Sequence, residues 1–251
     1  MDLGERLLQA ATVAAHSNFE GKGFRQKDVR FMAELMANWM DAMWPANHGQ
    51  WHNTQIMRLL EGFVTTGLAK KASSRPPSYR LTRGGLVELS QSLSSGPFPL
   101  SASEFCFLHY FLKAYGSRIQ QLIAREGSGF SKTLQLEIES HLDYKGLIAN
   151  QRKALQFAIQ RLQVRQKETH ETAQLVTRLQ KDGYPVEHII NEVAHLYPYD
   201  LNNQKPMEEL FREIPPELRL WELVRGNQHR ADTLWTLEIK LLQSFLDQLP
   251  K

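Results

Sequence analysis

Gly67-Leu68-Ala69-Lys70-Lys71-Ala72-Ser73-Ser74-Arg75-Pro76-Pro77-Ser78-Tyr79-Arg80-Leu81-Thr82 reads as a short β-hairpin with a basic tip. Leu68-Ala69-Lys70-Lys71-Ala72 and Ser78-Tyr79-Arg80-Leu81 are extended segments. Between them, Pro76 and Pro77 exclude regular structure and force a tight reversal. Upstream, Ile56, Leu59, Leu60, Phe63 and Val64 recur at helical spacing. That stripe predicts a helix starting near His52, with Asn53 or Thr54 capping its free N–H groups and Gly67 as its C-terminal stop. Downstream, Thr82 is placed to cap a further helix through Ser92.

Two more helices precede this block. Leu3, Leu7, Leu8, Ala11 and Ala14 or Ala15 form one stripe, and Val29, Met32, Ala33, Met36, Trp39 or Met40, and Met43 another. The turn Asn18-Phe19-Glu20-Gly21-Lys22-Gly23 separates them, and Pro45 to Gly49 ends the second. Three helices, a basic hairpin and a following helix are the order of a winged helix-turn-helix. The expected fold class is therefore mainly α. A winged helix-turn-helix DNA-binding domain covers residues 1–95, and an all-helical dimerisation and regulatory domain covers 96–251.

Charge singles out the same block. Between Gln50 and Gly85 stand Arg58, Lys70, Lys71, Arg75, Arg80 and Arg83 against the lone acid Glu61, a local +5. The whole chain carries +3, so the remainder sums to −2. Positive charge at that density favours a polyanion. An α-helix fits the major groove of B-DNA, and a basic hairpin beside it reaches neighbouring phosphates. The third helix opens with Trp51, His52, Asn53, Thr54 and Gln55, followed by Arg58. Asn and Gln pair with adenine edges, Arg with guanine, and Thr with a methyl group or a phosphate. On the hairpin, Lys70, Lys71, Arg75 and Arg80 are placed for backbone contacts, with Arg83 just beyond. The expected partner is double-stranded DNA.

Leu59-Leu60-Glu61-Gly62-Phe63-Val64-Thr65-Thr66-Gly67-Leu68, followed by Tyr79-Arg80-Leu81-Thr82-Arg83-Gly84-Gly85, resembles the recognition-helix end and wing of PadR-like regulators. There a Leu-rich helix ends at Gly-Leu, and the wing closes with Tyr-x-Leu-Thr-x-x-Gly. The last helix, from Leu218 through Leu242, is similar in style to their C-terminal dimerisation helices. The resemblance implies a dimeric transcription regulator, often a repressor, with a small-molecule or protein effector that differs between members.

After a linker at residues 94–99, helices are expected over 103–114, 117–125, 132–182 with a break near 142–146, 186–196, 207–213 and 216–249, the last kinked at Gly226. Ile148, Leu155, Leu162, Thr169 and Val176 fall on seven-residue spacing. That seam fits either a second subunit or the chain's own packing, and the polar run from Arg165 to Thr172 argues against its continuity. The final helix, with Leu218, Trp221, Val224, Leu234, Trp235, Leu241, Leu242 and Phe245, offers an alternative dimer surface. Phe98, Phe105, Phe107, Tyr110, Phe111 and Tyr115 read as core, or as the wall of an effector pocket.

Enzyme signatures are missing from the sequence. It holds neither a Gly-x-x-x-x-Gly-Lys loop nor Gly-x-Gly-x-x-Gly, and His170-Glu171 lacks the second histidine of a zinc-protease helix. His48 and His52 have no carboxylate or cysteine nearby to complete a metal site. Neither cofactor nor catalytic residue is expected. One cysteine, Cys106, and no secretory start or long apolar run point to the cytoplasm. The rival expectation is a winged helix that grips another protein rather than DNA.

Overall fold

The computed structural model describes residues 3–19, 22–39, 51–94, 96–125, 132–196, 215 and 222–251. They form a mainly helical protein with one two-stranded antiparallel sheet after three N-terminal helices, as expected. Contacts group the chain into two compact units, Met1–Lys153 with Pro250, and Ala154–Leu249 with Lys251. Residues 207–213, the opening of the helix expected from Pro216, and Met40, Met43 and His48 lie outside the described residues.

The first unit contains α1 (Leu3–Asn18), α2 (Gln26–Trp39), α3 (Asn53–Thr65), β1 (Ala69–Ala72), β2 (Ser78–Leu81) and α4 (Arg83–Ser94). It continues with α5 (Ala102–Arg125), α6 (Lys132–His141) and the start of α7 (Tyr144–Lys181). Helix α1 is the hub. Leu7, Leu8, Ala10, Ala11, Val13, Ala14 and Ala15 are all buried, and α2, α4 and α5 pack around it. A helix buried on nearly every side belongs in the interior of its unit, and its alanines let neighbours approach closely. Thr12 and Ser17, also buried, donate to Leu8 O and Val13 O at 2.8 Å each, so no hydroxyl is left unsatisfied there.

Helix α5 runs unbroken through Gly116, where the sequence suggested two helices. The glycine serves close approach instead, because a Cβ there would sit 2.7 Å from Leu142 O. Phe105, Phe107 and Phe111 are core residues, and Tyr110 is exposed. Segment 94–99, expected as a linker, lies between α4 and α5 within the first unit. Just after it, Leu100 is held by buried Gln151, which accepts from Leu100 N (2.8 Å) and donates to Leu100 O (2.9 Å). The expected break after α6 falls at Leu142-Asp143. There the Asp143 carboxylate caps α7 by accepting from Lys145 N (2.9 Å) and Gly146 N (3.0 Å).

In the second unit α7 continues, α8 (Val186–Leu196) follows, and a C-terminal helix, α9, is built from π turns Glu222–Gly226 and Arg230–Trp235, an α turn Asn227–His229 and an α segment Thr236–Gln248. Gly226 keeps helical dihedrals (φ −64°, ψ −44°) and ends the first π turn. Val176 joins Ile189, Ile190 and Val193 in a small core, flanked by Leu179, Val186 and Val224. One end of the heptad seam is thus covered within the chain. The polar run from Arg165 to Thr172 turns out to be a docking strip for α9. Gln166 Nε2 donates to Ala231 O and to Thr236 Oγ1, both at 2.8 Å, and His170 Nε2 meets Asp232 Oδ1 at 2.9 Å.

Candidate nucleic-acid interface

Helix α3 buries Ile56, Leu60 and Phe63, which leaves its opposite side to solvent. Asn53, Thr54, Gln55 and Arg58 are exposed there, and Trp51 just before the helix is half-buried. The capping expectation is corrected. His52 is the N-cap, with extended dihedrals (φ −69°, ψ 135°) and no side-chain cap bond. Asn53 and Thr54 already sit in the first turn, past the N-cap position. The first turn therefore presents Asn53, Thr54 and Gln55 to solvent, with no side-chain cap.

Strand pairing sorts the wing's cations by face. The register is Ala69↔Leu81, Lys70↔Arg80, Lys71↔Tyr79 and Ala72↔Ser78. Alternate residues of a strand point to opposite faces. Ala69, Lys71, Tyr79 and Leu81 thus share the inner face, and Lys70 and Arg80 share the outer one. Burial agrees, with Ala69, Tyr79 and Leu81 buried and Lys70 and Arg80 exposed. Arg75 stands exposed at the tip. Arg83, half-buried as the first residue of α4, belongs to the base of the hairpin.

Lys71 points inward to α3. Its Nζ donates to Glu61 Oε1 at 2.6 Å, and Tyr79 O–H donates to the same oxygen at 2.8 Å. These two hydrogen bonds hold the Glu61 carboxyl below its usual range, Lys71 contributing most. Burial, reinforced by the adjacent carboxylate, pushes the Tyr79 phenol up to about 12.

The base of the wing is stitched to its surroundings. Thr82 Oγ1 donates to Gly67 O (3.0 Å) and accepts from Gly85 N (3.0 Å), which caps α4 as expected. Thr82 N donates to Leu68 O (2.9 Å). Gly85 lies so close to Leu68 that a Cβ would stand 2.0 Å from its carbonyl oxygen. Leu81 N donates to Nδ1 of buried His16 (3.2 Å), which ties β2 to α1.

Sequence reading missed a third edge of the sheet. Phe24, just before α2, exchanges both backbone hydrogen bonds with Tyr79, at 2.9 and 2.7 Å. Two residues on, Gln26 Nε2 donates to Asn53 O at the start of α3. The N-terminus of α2 thereby bridges the wing and the exposed end of α3. It brings exposed Lys22, Arg25 and Lys27 into their neighbourhood. The available signal was the basic spacing around the Gly23 turn, which a single bridging residue does not betray as a strand.

Among the described residues, no three His, Cys, Asp or Glu side chains gather where they could hold a metal ion, and no helix is long and apolar enough to cross a membrane. Compared with known proteins, the chain matches no family model, no curated protein and no solved structure.

Proposed function

We propose that this protein is a sequence-specific DNA-binding transcription regulator of PadR-like character, working in the cytoplasm as a homodimer without a cofactor and without catalysis. The observation that carries the reading is the pairing Lys70↔Arg80 on the outer face of the wing. Two cations on one face of the wing suit the backbone of a nucleic acid. Arg75 at the tip extends the row. The first turn of α3, joined to the wing through Phe24 and Gln26, supplies Asn53, Thr54, Gln55 and Arg58 for base edges. His52 and Trp51 flank that turn. Cations around α2 add backbone contacts, which give register rather than sequence choice.

A homodimer would present two such helices to half-sites about 34–36 Å apart. Leu234, Leu237 and Leu241, each more than half exposed, form a stripe along α9 that supports α9 as the pairing surface. A competing reading, in which the winged helix grips a protein, draws support from Met57, 46% exposed on the same helix as Arg58.

A salt titration separates the two. DNA binding through about six phosphate contacts is expected to give a log–log slope near about −5. A wild-type chain that fails to bind genomic fragments at low salt would end the DNA reading in favour of its competitor.

A further inference from the structure

We propose that Lys71 is a positioning residue, which with Glu61 and Tyr79 sets the angle of the wing on α3 and leaves the phosphates to Lys70 and Arg75. This rests on the DNA reading above. It departs from the sequence, in which Lys70 and Lys71 look like equivalent phosphate ligands.

The register places Lys71 opposite Tyr79 on the inner face, and both side chains converge on one oxygen, Glu61 Oε1. The Lys71 ammonium also lies 6.0 Å from the centroid of the Tyr79 ring. Glu61 is the lone acid of the basic block, and it stands on α3 itself. Were Lys71 to leave for a phosphate, an unbalanced carboxylate would face a polyanion from the helix meant to read it. Kept in place, Lys71 neutralises that carboxylate and fastens the middle of β1 to the middle of α3. Tyr79 extends the link, because its backbone is the partner of Phe24. One carboxylate oxygen thus couples the recognition helix, both strands of the wing and the approach to α2.

The test uses the full chain and a fluorescent mixed-sequence duplex, titrated at several salt concentrations. Lys70→Met and Arg75→Met are each expected to flatten the slope by about 0.9, one released counterion apiece. Lys71→Met is expected to keep the wild-type slope while losing about two- to fivefold in affinity at every salt concentration, the scale of an exposed ion pair. Lys71→Arg restores the affinity. Glu61→Gln gives the opposite sign to simple electrostatics: it removes a negative charge yet weakens binding. Thermal melts of each variant establish that the folded chain is being compared.

A Lys71→Met slope flattened by about 0.9, or tighter binding by Glu61→Gln, overturns the division of labour while leaving DNA binding intact. A wild-type chain that does not bind the duplex at all overturns the DNA reading and this inference together.

Discussion

Gly85 and Gly62 show how differently two glycines in one fold respond to the same change. At Gly85 an added methyl would meet Leu68 O at 2.0 Å, whereas at Gly62 nothing lies within 4 Å. Gly85→Ala is therefore expected to cost about 3 kcal/mol or more through overpacking against backbone. Gly62→Ala, in the exposed interior of α3, is expected to gain about 0.5–1 kcal/mol. Urea denaturation of both variants checks the contrast, and equal effects would refute the close approach. Tyr79 offers a spectroscopic check. Of seven tyrosines it is expected to ionise near about 12, visible as a late step in tyrosinate absorbance. Its folded pKa is raised, so its contribution to stability is complete below the ordinary phenol value of about 10 and disappears as pH climbs through the folded one. Glu61→Gln is expected to lower that midpoint only in part, because burial contributes more than the carboxylate. The residues of Tyr79-x-Leu81-Thr82-x-x-Gly85 all have packing or capping work, so the pattern bears on how the wing closes.

Elements were legible in the sequence where their causes are local. The paired prolines at 76 and 77, Gly67 with its positive φ of 77°, the Thr82 cap and the 3.6-residue stripes each act within a few positions. Phe24, the Glu61–Lys71 pair and the Gln166–Ala231 bond were not legible, because each joins residues that only the finished register brings together. The partner of the polar run on α7 was hidden for the same reason, since it lies in a π turn of α9. Thr82→Ala is expected to cost about 1–2 kcal/mol, read from the urea midpoint, since it removes the α4 cap together with the link to Gly67. Between α1 and α5, the Arg6 guanidinium lies 3.3 Å from Glu104. The Ser101 hydroxyl above all, and Arg6 with it, hold the Glu104 carboxyl below its usual range. A depressed carboxyl stabilises above the unfolded value of about 4.3 and loses that contribution as pH falls through the folded one. Glu104→Gln is expected to flatten the melting temperature's fall in acid, and a parallel curve would dismiss the pair's role.

At the scale of the whole molecule, the DNA reading and the homodimer stand or fall separately. Leu237→Lys with Leu241→Lys is expected to turn a dimer into a monomer in sedimentation equilibrium, and to weaken duplex binding without changing the melt of the first unit. A wild-type chain that sediments as a monomer at micromolar concentration would remove α9 from the account. The outline of the winged helix was readable because its order of elements is unusual and each is locally signalled. The grouping of α5 and α6 with it was not, since it depends on Gln151 reaching back to Leu100 and on Leu142 lying against Gly116.

The free side of β1 has a further bearing on how the protein survives at high concentration. β2 is flanked by Phe24 at a single residue, while the other side of β1 pairs with no strand among the described residues. An open strand invites stacking with other molecules, and lysines along it are a common safeguard. Lys70 and Lys71 occupy half of that four-residue strand. The charges proposed to meet and to orient a nucleic acid would thus also act as gatekeepers against aggregation, so mutants that abolish binding by removing both would be prone to precipitate.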